Sequence, residues 1–159
     1  MSNGITKVVM AAVDGSECAT AALKKAAAKA LTDGAELVVL AVTPRGLLPR
    51  PLMDDLREFA RVERLAGEEA EASSVVAEDI LREAKATVDD CSKAVDPVYL
   101  SRAGNPADEI LACAEEHSAA ALYLGSRGLG PLGTLFLGSV SNEVAHGAAC
   151  PVVIVPKDE

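Results

Sequence analysis

Apolar positions along this chain fall into two kinds of run, and the two kinds alternate. The first is short and unbroken. It comprises Lys7-Val8-Val9-Met10-Ala11-Ala12-Val13, Leu37-Val38-Val39-Leu40-Ala41-Val42, Pro97 to Arg102, Ala119 to Leu124, and Pro151-Val152-Val153-Ile154-Val155-Pro156. Unbroken runs of this length suit strands buried on both faces, as in a parallel sheet. Pro97 to Arg102 is the weakest of them. The last is bounded by proline at both ends, which suits a sheet edge because proline cannot donate to a ladder.

The second kind is longer and helical in period. Ala19 to Leu31 is rich in helix formers; Ser16 can cap it, Glu17 suits its first turn, and Gly34 supplies a stop. Pro44, Pro49 and Pro51 then mark a loop. Met53 to Ala66 and Glu68 to Val88 read as two helical pieces separated at Gly67, the second with Val75, Val76, Ile80, Leu81, Ala84 and Val88 sharing a 3.6-period apolar face. In Gly104-Asn105-Pro106, Asn is a natural N-cap and Pro fits the first helical position. Asp108 and Glu109 load that helix's first turn, and Ile110, Leu111 and Ala114 form its inner face. Val140 to Ala145 is the last helix, ending near Gly147.

Alternating strands and helices predict a single α/β domain over residues 1–159, a parallel sheet with helices on both faces. In such sheets ligands bind beyond the strand C-termini, at the switch point where strand order reverses. If the first and fourth strands are neighbours there, Asp14 and the loop after Leu124 line one crevice.

That loop carries the candidate chemistry. Gly125-Ser126-Arg127-Gly128 is followed, after nine residues, by Gly138-Ser139. Glycine lets a backbone wrap closely around a ligand and aim its N–H groups inward. Ser139 stands where a helix should begin, and there unpaired amides and the macrodipole favour an anion. Strand, glycine loop and helix start together describe a phosphate cradle. Two other patterns fail. Gly128 to Gly133 fits GxGxxG, but Pro131 deletes a donor and no acidic residue stands about 20 positions on. No Gly-Lys-Ser/Thr follows any of these glycines, so the Walker A pattern is absent.

Composition narrows the picture. Half of the residues are hydrophobic but only 3% are aromatic, so Val, Leu, Ile and abundant Ala must build the core. A net charge of −9, without a basic stripe, argues against nucleic acid as a partner. Cys18, Cys91, Cys113 and Cys150 are scattered and expected to be reduced and packed as small hydrophobes; His117 and His146 make no zinc motif. Glu68, Glu69 and Glu71 read as a solvated helix face. No run approaches a membrane span or a leader peptide, which makes a cytoplasmic location the expectation.

Over nearly its whole length the chain resembles the universal stress protein family. The resemblance is carried by Val13-Asp14-Gly15-Ser16-Glu17, by Gly104-Asn105-Pro106-Ala107-Asp108-Glu109-Ile110, and by the glycine motif running through Gly138-Ser139-Val140-Ser141 to Cys150-Pro151-Val152-Val153. GxxG-x9-G-[ST] marks that family's ATP-binding branch. The resemblance implies a Rossmann-like sheet of the adenine nucleotide alpha hydrolase kind, in the order 3-2-1-4-5. It also implies a homodimer, and ATP, ADP or AMP in the crevice. By matching position, Asp14 would hold the ribose or a nucleotide-bound Mg2+, and Val42 would contact adenine. Gly125, Arg127, Gly128, Gly138, Ser139 and Val140 would surround ribose and phosphates. The edge strand, Val152, Val153, Ile154 and Val155, would pair the two copies.

The sequence departs from the family at two points. Residues 129–137 hold no Lys or Arg, leaving Arg127 as the nearby cation, and Ala41 stands where many members have His. The function implied is nucleotide binding in stress response or signalling. A slow ATP hydrolase or self-phosphorylating protein is the first alternative, and a ligand-free dimeric interaction module the second.

Overall fold

The computed structural model describes residues 6–43, 62–126 and 137–157, those from 62 to 74 by their backbone alone. In chain order the elements are β1 (Val8–Val13), α1 (Glu17–Asp33), β2 (Glu36–Thr43), α2 (Val62–Cys91), β3 (Val98–Ala103), α3 (Pro106–Glu116), β4 (Ala121–Gly125), α4 (Ser139–Gly147) and β5 (Val152–Val155). The five strands form one parallel sheet in the order β3-β2-β1-β4-β5, as the alternation and the resemblance imply.

Each strand feeds both faces because successive side chains point to opposite sides. Val9, Ala11, Val13, Leu37, Val39, Ala41 and Tyr123 face α1 and α2. Met10, Val38, Leu40, Leu122 and Leu124 face α3 and α4. A run with no polar residue is therefore required, and the sequence has one at each central strand. On α1 the buried positions include Ala19, Ala21, Ala22, Ala26, Ala27 and Ala30. Side chains this small let the helix lie close on β1 and β4.

The helix ends follow local chemistry. Ser16 Oγ accepts from the Ala19 amide at 3.2 Å and caps α1, which Gly34 closes at φ 62°. Asn105 Oδ1 accepts from the Asp108 amide at 3.1 Å, with Pro106 opening α3.

Three expectations need correction. Gly67 does not divide two helices, because α2 runs unbroken from Val62 to Cys91. One helical glycine costs only about 1 kcal/mol relative to alanine, which does not break a helix of 30 residues. The part of the first expected piece from Met53 to Arg61 lies outside the described residues. Val75 and Val76 are not inward either, being 57% and 39% exposed. In that turn the buried residue is Ala77, at 3% exposed, and Val75 and Val76 stand to its outer side. Finally, all four cysteines are free, but only Cys18 and Cys113 are buried, and Cys91 is exposed.

Candidate functional site at the β1/β4 switch point

Strand β1 pairs with β2 along its whole length, from Val8↔Glu36 to Val13↔Ala41. Its pairs with β4 end earlier, at Ala11↔Tyr123, although both strands continue for two more residues. A crevice therefore opens between the C-terminal ends of β1 and β4. This is where strand order reverses and where open parallel sheets take ligands.

The expected residues can now be placed around it. Asp14 follows β1 directly, is half-buried, and its Oδ1 accepts from the Ser16 amide at 2.9 Å. That bond fixes the carboxylate at the mouth of the crevice. Val42 lies one residue past the Val13↔Ala41 pair, level with Asp14 on the neighbouring strand. With Ala12 it forms a half-buried apolar floor on the face covered by α3 and α4. Gly125 ends β4. A Cβ there would lie 2.7 Å from the Ala19 amide nitrogen and 2.7 Å from Cys18 Cβ, so only glycine lets the start of α1 seat against β4.

Gly138, Ser139 and Val140 lie at the start of α4, which is hydrogen-bonded to the end of β4. Gly138 is the N-cap of α4, with no side-chain cap bond, and Ser139 is the first helical residue. Where Ser16 and Asn105 occupy the amides of α1 and α3, no side chain of the N-cap competes for those of α4. The amides and macrodipole of a helix start of this kind favour an anion. Ser139 is exposed, and Val140 packs against the core of the same face as Val42. Arg127 and Gly128 lie outside the described residues.

Two serines absent from the expected set hold this geometry. Ser141 is buried, and its Oγ–H donates to the Gly125 carbonyl at 2.7 Å. The Ser126 carbonyl accepts from the Gly138 amide at 2.8 Å, while the Ser126 amide donates to the Val155 carbonyl at 2.8 Å. A signal for Ser141 existed in the sequence: it lies three residues before Val144 on the inward face, where a hydroxyl needs an acceptor.

Charge elsewhere near the strand ends is already paired. The Arg102 guanidinium, on β3, makes a two-pronged bond with Glu116, with Nη1 3.2 Å from Oε1, and lies 3.7 Å from Glu109. This pairing raises the Arg102 pKa and holds the Glu116 carboxyl below its ordinary range, with the hydrogen bond as the main cause in both. Burial pushes the Cys113 thiol upward, against the pull of Arg102, so this cysteine is a poor nucleophile. Among the described residues no group of three His, Cys, Asp or Glu side chains is arranged to hold a metal. No described helix is long and apolar enough to cross a membrane.

A parallel 3-2-1-4-5 sheet with helices on both faces defines a class of doubly wound α/β domain, and the comparisons give its family. The model of the universal stress protein family matches residues 6–156. A universal stress protein of Thermus aquaticus is 33% identical over 153 residues, covering 94% of this chain and 98% of the relative. This chain belongs to the universal stress protein family. Among solved structures, UspA from Lactobacillus plantarum shares the fold with a TM-score of 0.74 at 23% identity, over 96% of this chain and 99% of that one. A universal stress protein from Archaeoglobus fulgidus in complex with dAMP has a TM-score of 0.63 at 24% identity, over 94% and 97%. Another, in complex with cAMP, has a TM-score of 0.65 at 24% identity, over 96% and 98%.

Proposed function

We propose that this chain is an adenine-nucleotide-binding universal stress protein that acts in stress response or signalling as a nucleotide-sensing dimer. The observation that carries the reading is what stands around the C-terminal ends of β1 and β4. The Asp14 carboxylate follows β1, Ala12 and Val42 are half-buried and apolar, and the first turn of α4, whose N-cap glycine brings no side chain, is bonded to the end of β4. Asp14 can accept from ribose hydroxyls with the oxygen that Ser16 does not use. Adenine would lie on Val42, and the amides of Ser139 and Val140 would receive phosphate oxygens. Gly125, Gly138, Arg127 and Gly128 complete the proposed set, the last two from the sequence alone. The dAMP and cAMP complexes of relatives support an adenine nucleotide as the ligand class.

ATP is the proposed ligand on the strength of the glycine motif, and Mg2+ would arrive with its phosphates beside Asp14. Phosphoryl transfer also needs a positioned base and a stabiliser of the transferred charge. Arg102, on the edge strand β3, is tied to Glu116 and Glu109 of α3 and is not part of the proposed set; the reading proposed is binding, with turnover as its alternative. Mass spectrometry of nucleotide released by denaturing the purified protein, followed by calorimetric titration with ATP, ADP and AMP, tests the reading. Release of an adenine nucleotide, or saturable binding of one, is expected. Failure of all three to bind would reject it, and sustained turnover near 1 s⁻¹, in the range of dedicated phosphotransfer enzymes, would replace it with the hydrolase reading.

A further inference from the structure

We infer that Ser141 is a positioning residue of this site, whose hydroxyl holds the end of β4 in the form that admits a phosphate; the inference rests on the nucleotide-binding reading. A serine on the buried face of a helix is unfavourable unless its hydroxyl finds an acceptor. Within helices such a hydroxyl commonly bonds back to the carbonyl four residues earlier. Ser141 is too near the start of α4 for that, since the position four residues back, Leu137, lies outside the helix. Its Oγ–H instead crosses to the Gly125 carbonyl at 2.7 Å, while the residue is only 5% exposed.

One turn away the Gly138 amide takes the next carbonyl, that of Ser126, at 2.8 Å. Both carbonyls at the end of β4 are thus bound to the first turn of α4. Carbonyl oxygens carry partial negative charge, and an anion at the same crevice is repelled by any that stay unpaired. The pin therefore does two things. It neutralises the acceptors nearest the phosphate position, and it fixes the distance between β4 and the amides of α4. Gly125 cannot drift to compensate, because its other side is already against Ala19 and Cys18.

The pin acts on the phosphate end and not on the adenine end, which lies toward Val42 on β2. That difference supplies the test. Binding of adenosine, AMP and ATP is measured by calorimetry for the wild type, Ser141→Ala and Ser141→Thr. Ser141→Ala is expected to weaken AMP and ATP about tenfold, the upper end of what one neutral hydrogen bond contributes. Adenosine should bind within twofold of the wild type, and Ser141→Thr, which keeps the hydroxyl, should recover most of the phosphate-dependent loss. If Ser141→Ala does not fold, Ser141→Cys, nearly the same size with a weak donor, carries the same comparison. Equal losses for adenosine and ATP would overturn the inference, since they report general loosening, as would wild-type ATP affinity in Ser141→Ala. A wild type that binds adenine nucleotides separates those outcomes from failure of the functional reading, which would show as no binding by any protein in the set and would remove this inference with it.

Discussion

Gly125, at the end of β4, and Ala19, in the first turn of α1, approach so closely that an added Cβ on Gly125 would lie 2.7 Å from the Ala19 amide nitrogen. The atoms in the way are backbone and Cβ atoms, which have no rotamer to escape into. Gly125→Ala must therefore push α1 away from β4, where Ser16, Cys18 and Ala19 are all buried. Overpacking of this kind costs about 1–3 kcal/mol. Denaturant unfolding should show a loss in that range, together with weaker ATP binding, because the same shift moves the Asp14 turn. A Gly125→Ala protein as stable as the wild type would show that this contact yields freely.

Gly138 gives the opposite combination of signs. Its φ of −60° and ψ of 159° are open to any residue, and it is an N-cap without a side chain. Gly138→Asp should leave stability unchanged or raise it by about a few tenths of a kcal/mol, since aspartate caps better than glycine. The same carboxylate would occupy the α4 amides and repel phosphate, so ATP affinity should be abolished. Ser139→Ala, at an exposed position that makes no cap bond, should cost about 1.5–3 kcal/mol of ATP binding if its hydroxyl meets a charged phosphate. Thermal unfolding and titration of each variant read the two effects apart. Retained ATP binding in Gly138→Asp would place the anion elsewhere.

What the chain alone revealed, and what it concealed, divides along the range of the forces involved. Ser16, Gly34, Asn105 and Pro106 act within four residues of themselves, so the helix ends they set could be read directly. The continuous strands were equally plain, because burial on both faces leaves no polar gap. Hidden features depend on comparing lengths or pairings across the fold. Val75 and Val76 share the period of Ala84 and Val88, but what packs against a turn decides which of its residues is covered, and here that residue is Ala77. The early end of the β1–β4 ladder is likewise a property of two strands together. Ser141 was visible as a polar residue on an apolar face, yet its acceptor lies 16 positions away.

Acid should weaken the tie between β3 and α3. Arg102 depresses the Glu116 pKa in the folded chain below its unfolded value of about 4.3. A depressed carboxylate stabilises fully above the unfolded pKa, and that contribution disappears as pH falls through the lower, folded value. Melting temperatures of the wild type and Glu116→Gln should therefore differ at pH 7 and converge as pH falls through the depressed, folded value. The pair is exposed at Glu116, so the difference should be small and should shrink in salt. A gap that stays constant from pH 7 to pH 3 would show that the ion pair contributes nothing.

The proposed dimer can be tested at one atom's depth on β5. The Leu122 amide donates to the Pro151 carbonyl at 3.0 Å, and the Ser126 amide to the Val155 carbonyl at 2.8 Å. In a parallel ladder the groups that face a neighbour belong to alternate residues. With Pro151 and Val155 turned toward β4, Val153 is turned toward it too, while the main chain of Val152 and Ile154 faces the free edge. A second copy that pairs with this edge would use Val152 and Ile154 for hydrogen bonds, although Val153 is the more exposed side chain, at 36%. Unpaired edges of apolar strands invite such addition, and a twofold axis satisfies both edges at once. Ile154→Pro removes an outward donor and leaves the β4 ladder whole, so it should give a monomer that still binds ATP. Val153→Pro removes an inward donor and should instead lower stability, because it deletes a hydrogen bond of the β4 ladder. Light scattering and thermal unfolding distinguish the two variants. A wild type that is monomeric at micromolar concentration, or an Ile154→Pro protein that stays dimeric, would remove β5 as the interface.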